Sequence, residues 1–324
     1  MESFTLKWIW AVAAWGLSSV LLANPCQDTV LKTVILQPWQ SQSEVTVDNA
    51  RRINRQLDAL GFNVVLLQWS RNGQTEFWPS DGSGWLQNRL LSPARRSYIM
   101  GLYSDPGFFN ALNLPDDELD AYLSVLRDFS LAEAKKIIAQ SKVKIVGWYL
   151  PEEIDDLNWR TPARQAMLVR HYQAISRDLK ALRPDLPVYA SSFFGGFSTP
   201  KEYAEMLRSL QQQTGIQWMV QGGQGVLRKP QPATASYLSA VSAALPRQQW
   251  SGILEVFTEK NSPKAQRFCP ANLSEIQQRK AVWCAATGAS PTVYFSLNQL
   301  SESLFGIPNT GCKTEPLHGP YHRD

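Results

Sequence analysis

The chain has 324 residues, 44% of them hydrophobic and 19% charged, with a formal net charge of +4 at pH 7. This excludes a disordered protein and is enough to bury a large core, in one big barrel or two smaller domains. The positive charges are scattered rather than gathered into a run, so nucleic acid is not an expected partner.

Residues 1–24 read as a signal peptide: Lys7 precedes an apolar core from Trp8 to Leu22, and small residues follow. Cleavage near Ala23 or Asn24 leaves a periplasmic or secreted protein with no stable membrane span, and a retained anchor is the alternative. Four cysteines, Cys26, Cys269, Cys284 and Cys312, follow the leader, which predicts two disulfides in an oxidising compartment. There is no Cys-x-x-Cys, so neither a zinc site nor a redox motif is expected; no metal or cofactor is called for.

The first strand is read over Lys32 to Trp39, followed by a helix over Asp48 to Leu60 with Ile53, Leu57 and Leu60 on its apolar face and Gly61 as its stop. Phe62 to Trp69 forms the second strand, and after a polar loop and a helix-like segment Tyr98 to Tyr103 forms the third. In the long helical stretch that follows, Ser130 and Glu133 are spaced as a capping box over Leu131 to Gln140. Strand four is Val143 to Leu150, with Pro151 expected to end its ladder. Thr161-Pro162 then caps a helix running to about Leu182, and Thr199-Pro200-x-Glu202 caps another after the fifth strand, Pro187 to Ser191. Ile216 to Gln221 is the sixth strand, with a Gly222-Gly223-Gln224-Gly225 turn and a helix over Ala233 to Leu245 behind it. Strand seven ends at Glu255, Asn272 caps a helix to Thr287, and Pro291 to Ser296 is the eighth strand. Eight strand–helix units with no Gly-x-Gly-x-x-Gly after the first strand predict the α/β class: a single-domain (β/α)8 TIM barrel over residues 27–324, with a C-terminal extension. In that layout Cys269 and Cys312 lie toward one face and Cys26 and Cys284 toward the other, so the expected pairs are 269–312 and 26–284.

Chemistry in such a barrel gathers at the C-terminal strand ends. These carry Trp39, Gln68, Trp69, Tyr103, Trp148, Phe193, Gln221, Phe257 and Tyr294, rings and amides that suit a carbohydrate substrate as well as core packing. Glu255 sits within the apolar Ile253-Leu254-Glu255-Val256-Phe257, where an unpartnered carboxylate is costly. Glu152 and Glu153 are neighbours on an extended chain and face opposite ways; Glu153 is expected to face inward, with Glu152 as the alternative acid. Asp155 and Asp156 are expected to cap the next turn or to face water. Two carboxylates on different strand ends are what glycoside hydrolysis needs. Histidine is scarce, and His171, His318 and His322 are poorly placed for a Ser-His-Asp triad or a metal site.

The Gly147-Trp148-Tyr149-Leu150-Pro151-Glu152-Glu153-Ile154-Asp155-Asp156 motif, the Val220-Gln221-Gly222-Gly223-Gln224-Gly225 turn and Leu254-Glu255-Val256-Phe257 together resemble a bacterial family of exported glycosidase-like barrels catalogued as a domain of unknown function. The resemblance implies a barrel related to retaining glycosidases, with the acid/base after strand four, at Glu153, and the nucleophile after strand seven, at Glu255. The family's sixth strand ends Gln-Asp-Gly, whereas Gly222 follows Gln221 here. The expected function is therefore a glycoside hydrolase acting on a poly- or oligosaccharide as a monomer. The alternative is a non-catalytic carbohydrate-binding or exopolysaccharide-assembly protein.

Overall fold

The computed structural model describes residues 26, 32–91, 96–226, 233–262, 265–300 and 313–314. The predicted signal peptide, Cys312 and the tail histidines lie outside them.

Eight parallel strands close into a barrel: β1 (Lys32–Leu36), β2 (Phe62–Leu67), β3 (Ser97–Gly101), β4 (Lys144–Ile154), β5 (Val188–Phe193), β6 (Gln217–Gln221), β7 (Trp250–Glu255) and β8 (Val293–Phe295). The last strand pairs with the first, Val34 opposite Tyr294. Outside the ring pack α1 (Val47–Ala59), α2 (Asp116–Gln140), α3 (Pro162–Leu182), α4 (Pro200–Thr214), α5 (Thr234–Ala244) and α6 (Leu273–Thr287). Between β2 and β3 the crossover carries a short hairpin, Arg71–Asn72 with Thr75–Glu76, and, as the helical element among its described residues, a π-helical turn, Leu86–Leu90.

Strand side chains alternate between two cores, as the two-residue period of an extended chain requires. Ile35, Leu66, Ile99, Tyr149, Met219, Ile253 and Val293, joined by the partly buried Tyr189, fill the lumen. Their sequence neighbours, among them Val34, Val65, Met100, Trp148, Ala190, Trp218, Leu254 and Tyr294, face the helices. The barrel is a packed core on both faces of its sheet, so most strands read as continuous apolar runs.

The helix boundaries follow the predicted caps. Thr161, Thr199 and Asn272 each accept a backbone N–H from three residues on, and Glu202 and Glu275 reach back to complete capping boxes. The Ser130/Glu133 reading is corrected: α2 runs unbroken from Asp116 to Gln140. Glu133 instead accepts the Ser70 hydroxyl at 3.0 Å and pairs with Lys136 at 2.8 Å, tying the loop after β2 to this helix. Leu60 is also corrected, since it lies just past α1 and is half exposed.

Pro151 does not end the fourth strand. Leu150 pairs with Ala190 and Ile154 with Ser192, so Pro151, Glu152 and Glu153 together stand opposite Ser191 alone. A residue without an N–H is tolerated at such a bulge because the ladder is already interrupted there.

Cys26 and Cys284 form a disulfide, with Cα atoms 5.6 Å apart, joining the segment before β1 to α6. Cys269 is disulfide-bonded too, and its expected partner Cys312 lies outside the described residues. Among the described residues no helix is long and apolar enough to cross a membrane.

Candidate functional site

Alternation carries the lumen face upward from the inner ring to the C-terminal rim: Met219 leads to Gln221, Ile253 to Glu255, Tyr189 through Ser191 to Phe193, and Val293 to Phe295. Both predicted acids reach this rim. Glu255, only 4% exposed, accepts the backbone N–H of Gly223 at 3.1 Å and that of Gly225. Both of its oxygens thus act as acceptors, the role an ionised carboxylate fills. The loop lies on the carboxylate because residue 225 has no side chain. A Cβ there would stand 2.8 Å from the Phe257 carbonyl oxygen and 3.0 Å from the Glu255 Cβ. Behind the strand, the buried Arg279 donates from Nη1 to the Glu255 carbonyl at 2.7 Å.

Glu153 is half-buried, and Gln221 Nε2 donates to its Oε1 at 3.0 Å. Below it the Tyr149 hydroxyl meets Ser191 Oγ at 2.8 Å. Burial, and after it the Glu153 charge, holds that phenol protonated well above its ordinary range. Glu152 goes the other way. It lies where its charge acts on Tyr122 of α2 and Tyr172 of α3, and its Oε2 is buried without a hydrogen-bond partner. Burial pushes the Glu152 carboxyl up to about 7. Alternation keeps its parity through the bulge, with Leu150 and Ile154 both on the helix face, and so sends these consecutive acids to different layers of the molecule.

Asp155 and Asp156 divide similarly. Asp155 caps the next turn, accepting from Leu157 N at 2.9 Å and from Asn158 N. Asp156 does not face water: it is fully buried and takes the backbone N–H groups of Gly195, Gly196, Phe197 and Ser198 at 2.6, 3.2, 2.9 and 3.1 Å. One carboxylate thereby fixes the loop after β5 to the end of β4. The sequence reading missed this role; the signal was Gly195-Gly196, a turn whose amides are open to an anion.

The predicted aromatic lining is brought to the site only in part. Phe193 lies at the rim end of β5, level with Gln221, with its ring 6.5 Å from Phe109. Phe257 packs edge-on against Phe295 at 5.9 Å and Phe268 at 5.1 Å, beside the Gly225 loop. Gln68 is buried past the end of β2, with Oε1 unpartnered. Trp39 and Trp69 meet edge to face at 5.5 Å, and Trp69 Nε1 donates to the Pro38 carbonyl at 3.2 Å. Three residues lie elsewhere. Trp148 is fully buried against the helices, one residue before the lumenal Tyr149. Tyr294 faces outward onto Phe62, ring centroids 5.1 Å apart, leaving Phe295 as the lumenal ring of β8. Tyr103 stacks on Phe129 at 4.7 Å under the Arg71 guanidinium. Among the described residues no group of three His, Cys, Asp or Glu side chains is placed to hold a metal ion.

With this geometry in place, comparison with known proteins is informative. A model of a domain of unknown function, DUF4434, matches residues 31–303. The chain belongs to the DUF4434 family. Another protein similar to it is Escherichia coli K12 "Uncharacterized protein YbcH", 30% identical over 289 residues that make up 88% of this chain and 95% of that one. Among solved structures, the DUF4434 barrel is similar to a Bacteroides thetaiotaomicron VPI-5482 protein provisionally described as an alpha-L-fucosidase. That match has a TM-score of 0.57 at 12% identity and covers 92% of this chain and 98% of the other. The intracellular xylanase TsXylA of Thermoanaerobacterium saccharolyticum, solved with xylotriose, gives a TM-score of 0.51 at 10% identity, over 86% and 91% of the two chains. At such identities the likeness is one of fold: this DUF4434 chain is a (β/α)8 barrel.

Proposed function

We propose that this DUF4434 barrel is a glycoside hydrolase acting on a poly- or oligosaccharide by a retaining mechanism, with Glu153 as acid/base and Glu255 as nucleophile. The observation that carries the reading is the arrival of both carboxylates on the lumen face of one rim, from β4 and β7, with Gln221 between them bonded to Glu153. Glu153 protonates the glycosidic oxygen as Glu255 attacks the anomeric carbon; the C–O bond to the leaving group breaks and an ester to Glu255 forms. Glu153, now a carboxylate, takes a proton from water. That water's oxygen attacks the same carbon, and the ester bond breaks with Glu255 as the leaving group. Retention requires the two carboxyls about 5 Å apart, whereas about 8 Å would give inversion. The partly exposed Phe295 and Gln221 supply a ring for sugar C–H groups and an amide for its hydroxyls, with the buried Phe193, Phe257 and Gln68 behind them. The disulfide accords with a periplasmic or secreted protein.

A screen of the purified protein against aryl glycosides and bacterial exopolysaccharides tests this, followed by Glu153→Gln and Glu255→Gln. Each variant is expected to lose at least about 10³-fold in turnover while still binding sugar. A fluorosugar ester trapped on Glu255 and located by mass spectrometry would establish the nucleophile.

One observation favours a second reading, a non-catalytic carbohydrate-binding or exopolysaccharide-assembly protein. Glu255 is 4% exposed, with its oxygens taken up by the Gly223 and Gly225 amides, as suits a carboxylate that holds a loop. In that case the wild-type protein binds glycans without turning any over, and Glu255→Gln weakens binding by loosening residues 222–225.

A further inference from the structure

Glu152 is a buried acid that the hydrolytic scheme does not use. It stands on the three-against-one bulge beside Glu153, in the layer between barrel and helices. The groups around it are phenols and acids: Tyr122 from α2, hydrogen-bonded to Asp105 at 2.7 Å; Tyr172 from α3; and Tyr149 and Glu153 from its own strand. Buried polar atoms of this layer without hydrogen-bond partners include Glu152 Oε2, an acceptor, and three donors, the Tyr172 hydroxyl, Trp148 Nε1 and Ser176 Oγ. Of these donors the Tyr172 hydroxyl is the one on which the Glu152 charge acts. A neutral carboxyl tolerates the gap, whereas a carboxylate buried there needs the hydroxyl.

We infer that Glu152 is a proton-operated positioning residue: protonated, it leaves Glu153 in contact with Gln221; deprotonated, it turns to the Tyr172 hydroxyl and draws the bulge, and Glu153 with it, outward. The bulge is the part of β4 able to yield, because Pro151, Glu152 and Glu153 share a single cross-strand partner, Ser191. Burial pushes the Glu152 carboxyl up to about 7, opposed by a hydrogen bond from its own backbone N–H, which places the change near neutral pH. The consequence for turnover rests on the reading of Glu153 as acid/base; the proton-linked movement does not.

Two measurements on the intact mature protein separate these. Carboxyl ¹³C resonances of Glu-labelled protein, assigned with Glu152→Gln and Glu153→Gln, are expected to show Glu152 titrating near pH 7 and the Glu153 signal shifting in step with it. On the most active glycoside, the alkaline limb of the pH–rate profile moves up by a unit or more in Glu152→Gln, which cannot ionise. It also moves up in Tyr172→Phe, which cannot supply the donor, and the acid limb stays in place in both. A folded Glu152→Gln protein with an unchanged alkaline limb overturns the inference, as does a Glu153 resonance flat from pH 6 to 8. If no glycoside is hydrolysed the proposed function fails, and the ¹³C titration alone decides the role of Glu152.

Discussion

Gln221, on β6, donates its side-chain N–H to Glu153, on β4, at 3.0 Å, spanning the intervening strand β5. An amide in this position orients the carboxyl without adding a charge of its own. Replacing it therefore separates positioning from acid strength.

With Glu153 as the proposed acid/base, Gln221→Ala is expected to lower kcat about 10- to 100-fold, because a misplaced acid loses alignment rather than chemistry. Gln221 is half-buried, so melting temperature changes little. Steady-state kinetics on the best glycoside, with a thermal melt alongside, check both halves; unchanged kcat would mean that the contact is incidental.

Gly225→Ala and Gly222→Ala form a contrasting pair. At 225 a methyl group meets the Phe257 carbonyl oxygen at 2.8 Å and the Glu255 Cβ at 3.0 Å, whereas at 222 its nearest neighbours are at 3.5 Å, ordinary contact. The first substitution is expected to cost about 1–3 kcal/mol by overpacking and to displace Glu255; the second leaves stability within about 0.5 kcal/mol. Urea unfolding of both variants measures the difference.

His171 is buried in α3, and its two ring nitrogens have no hydrogen-bonding side-chain partner. Burial, reinforced by the nearby Arg127 charge, depresses its ionisation from 6.5 to about 4. Between those values the unfolded chain binds more protons than the folded one, so this contribution is complete above pH 6.5 and is lost as pH falls through the window, by about 3 kcal/mol at most. His171→Phe should flatten the acid side of the stability curve between pH 6.5 and 4. An unchanged slope would place the acid sensitivity elsewhere.

The Cys26–Cys284 bridge closes a loop of 258 residues in sequence separation. Cys26→Ser with Cys284→Ser is expected to lower unfolding free energy by roughly 2–5 kcal/mol, chiefly by freeing the unfolded chain. Guanidinium melts without reductant give the comparison.

Much of this architecture was legible from residue order. The strands announced themselves as β-branched runs, and Thr161, Thr199 and Asn272 marked helix starts whose caps form as read. The two acids on β4 and β7 were legible as well, because carboxylates at the ends of apolar runs stand out. What escaped depended on partners distant in sequence. Ser130 and Glu133 have the spacing of a cap, yet Ser70 and Lys136 claim Glu133 in mid-helix. Pro151 looks like a terminator until Ala190 and Ser192 are seen to resume pairing around it. Trp148 and Tyr294 lie inside their strands and on the outward parity, a distinction that needs one lumenal residue per strand as an anchor.

The Asp156 clamp also bears on how this molecule can be altered. Since four successive amides of residues 195–198 converge on one carboxylate rooted beside Glu153, two adjacent walls of the rim form a single rigid unit. Grafting a different β5 loop onto this scaffold without its matching acid would unsettle the neighbouring wall too. For the carbohydrate proposed above, a change of preference is therefore better sought at Phe257 and Phe295, across the opening.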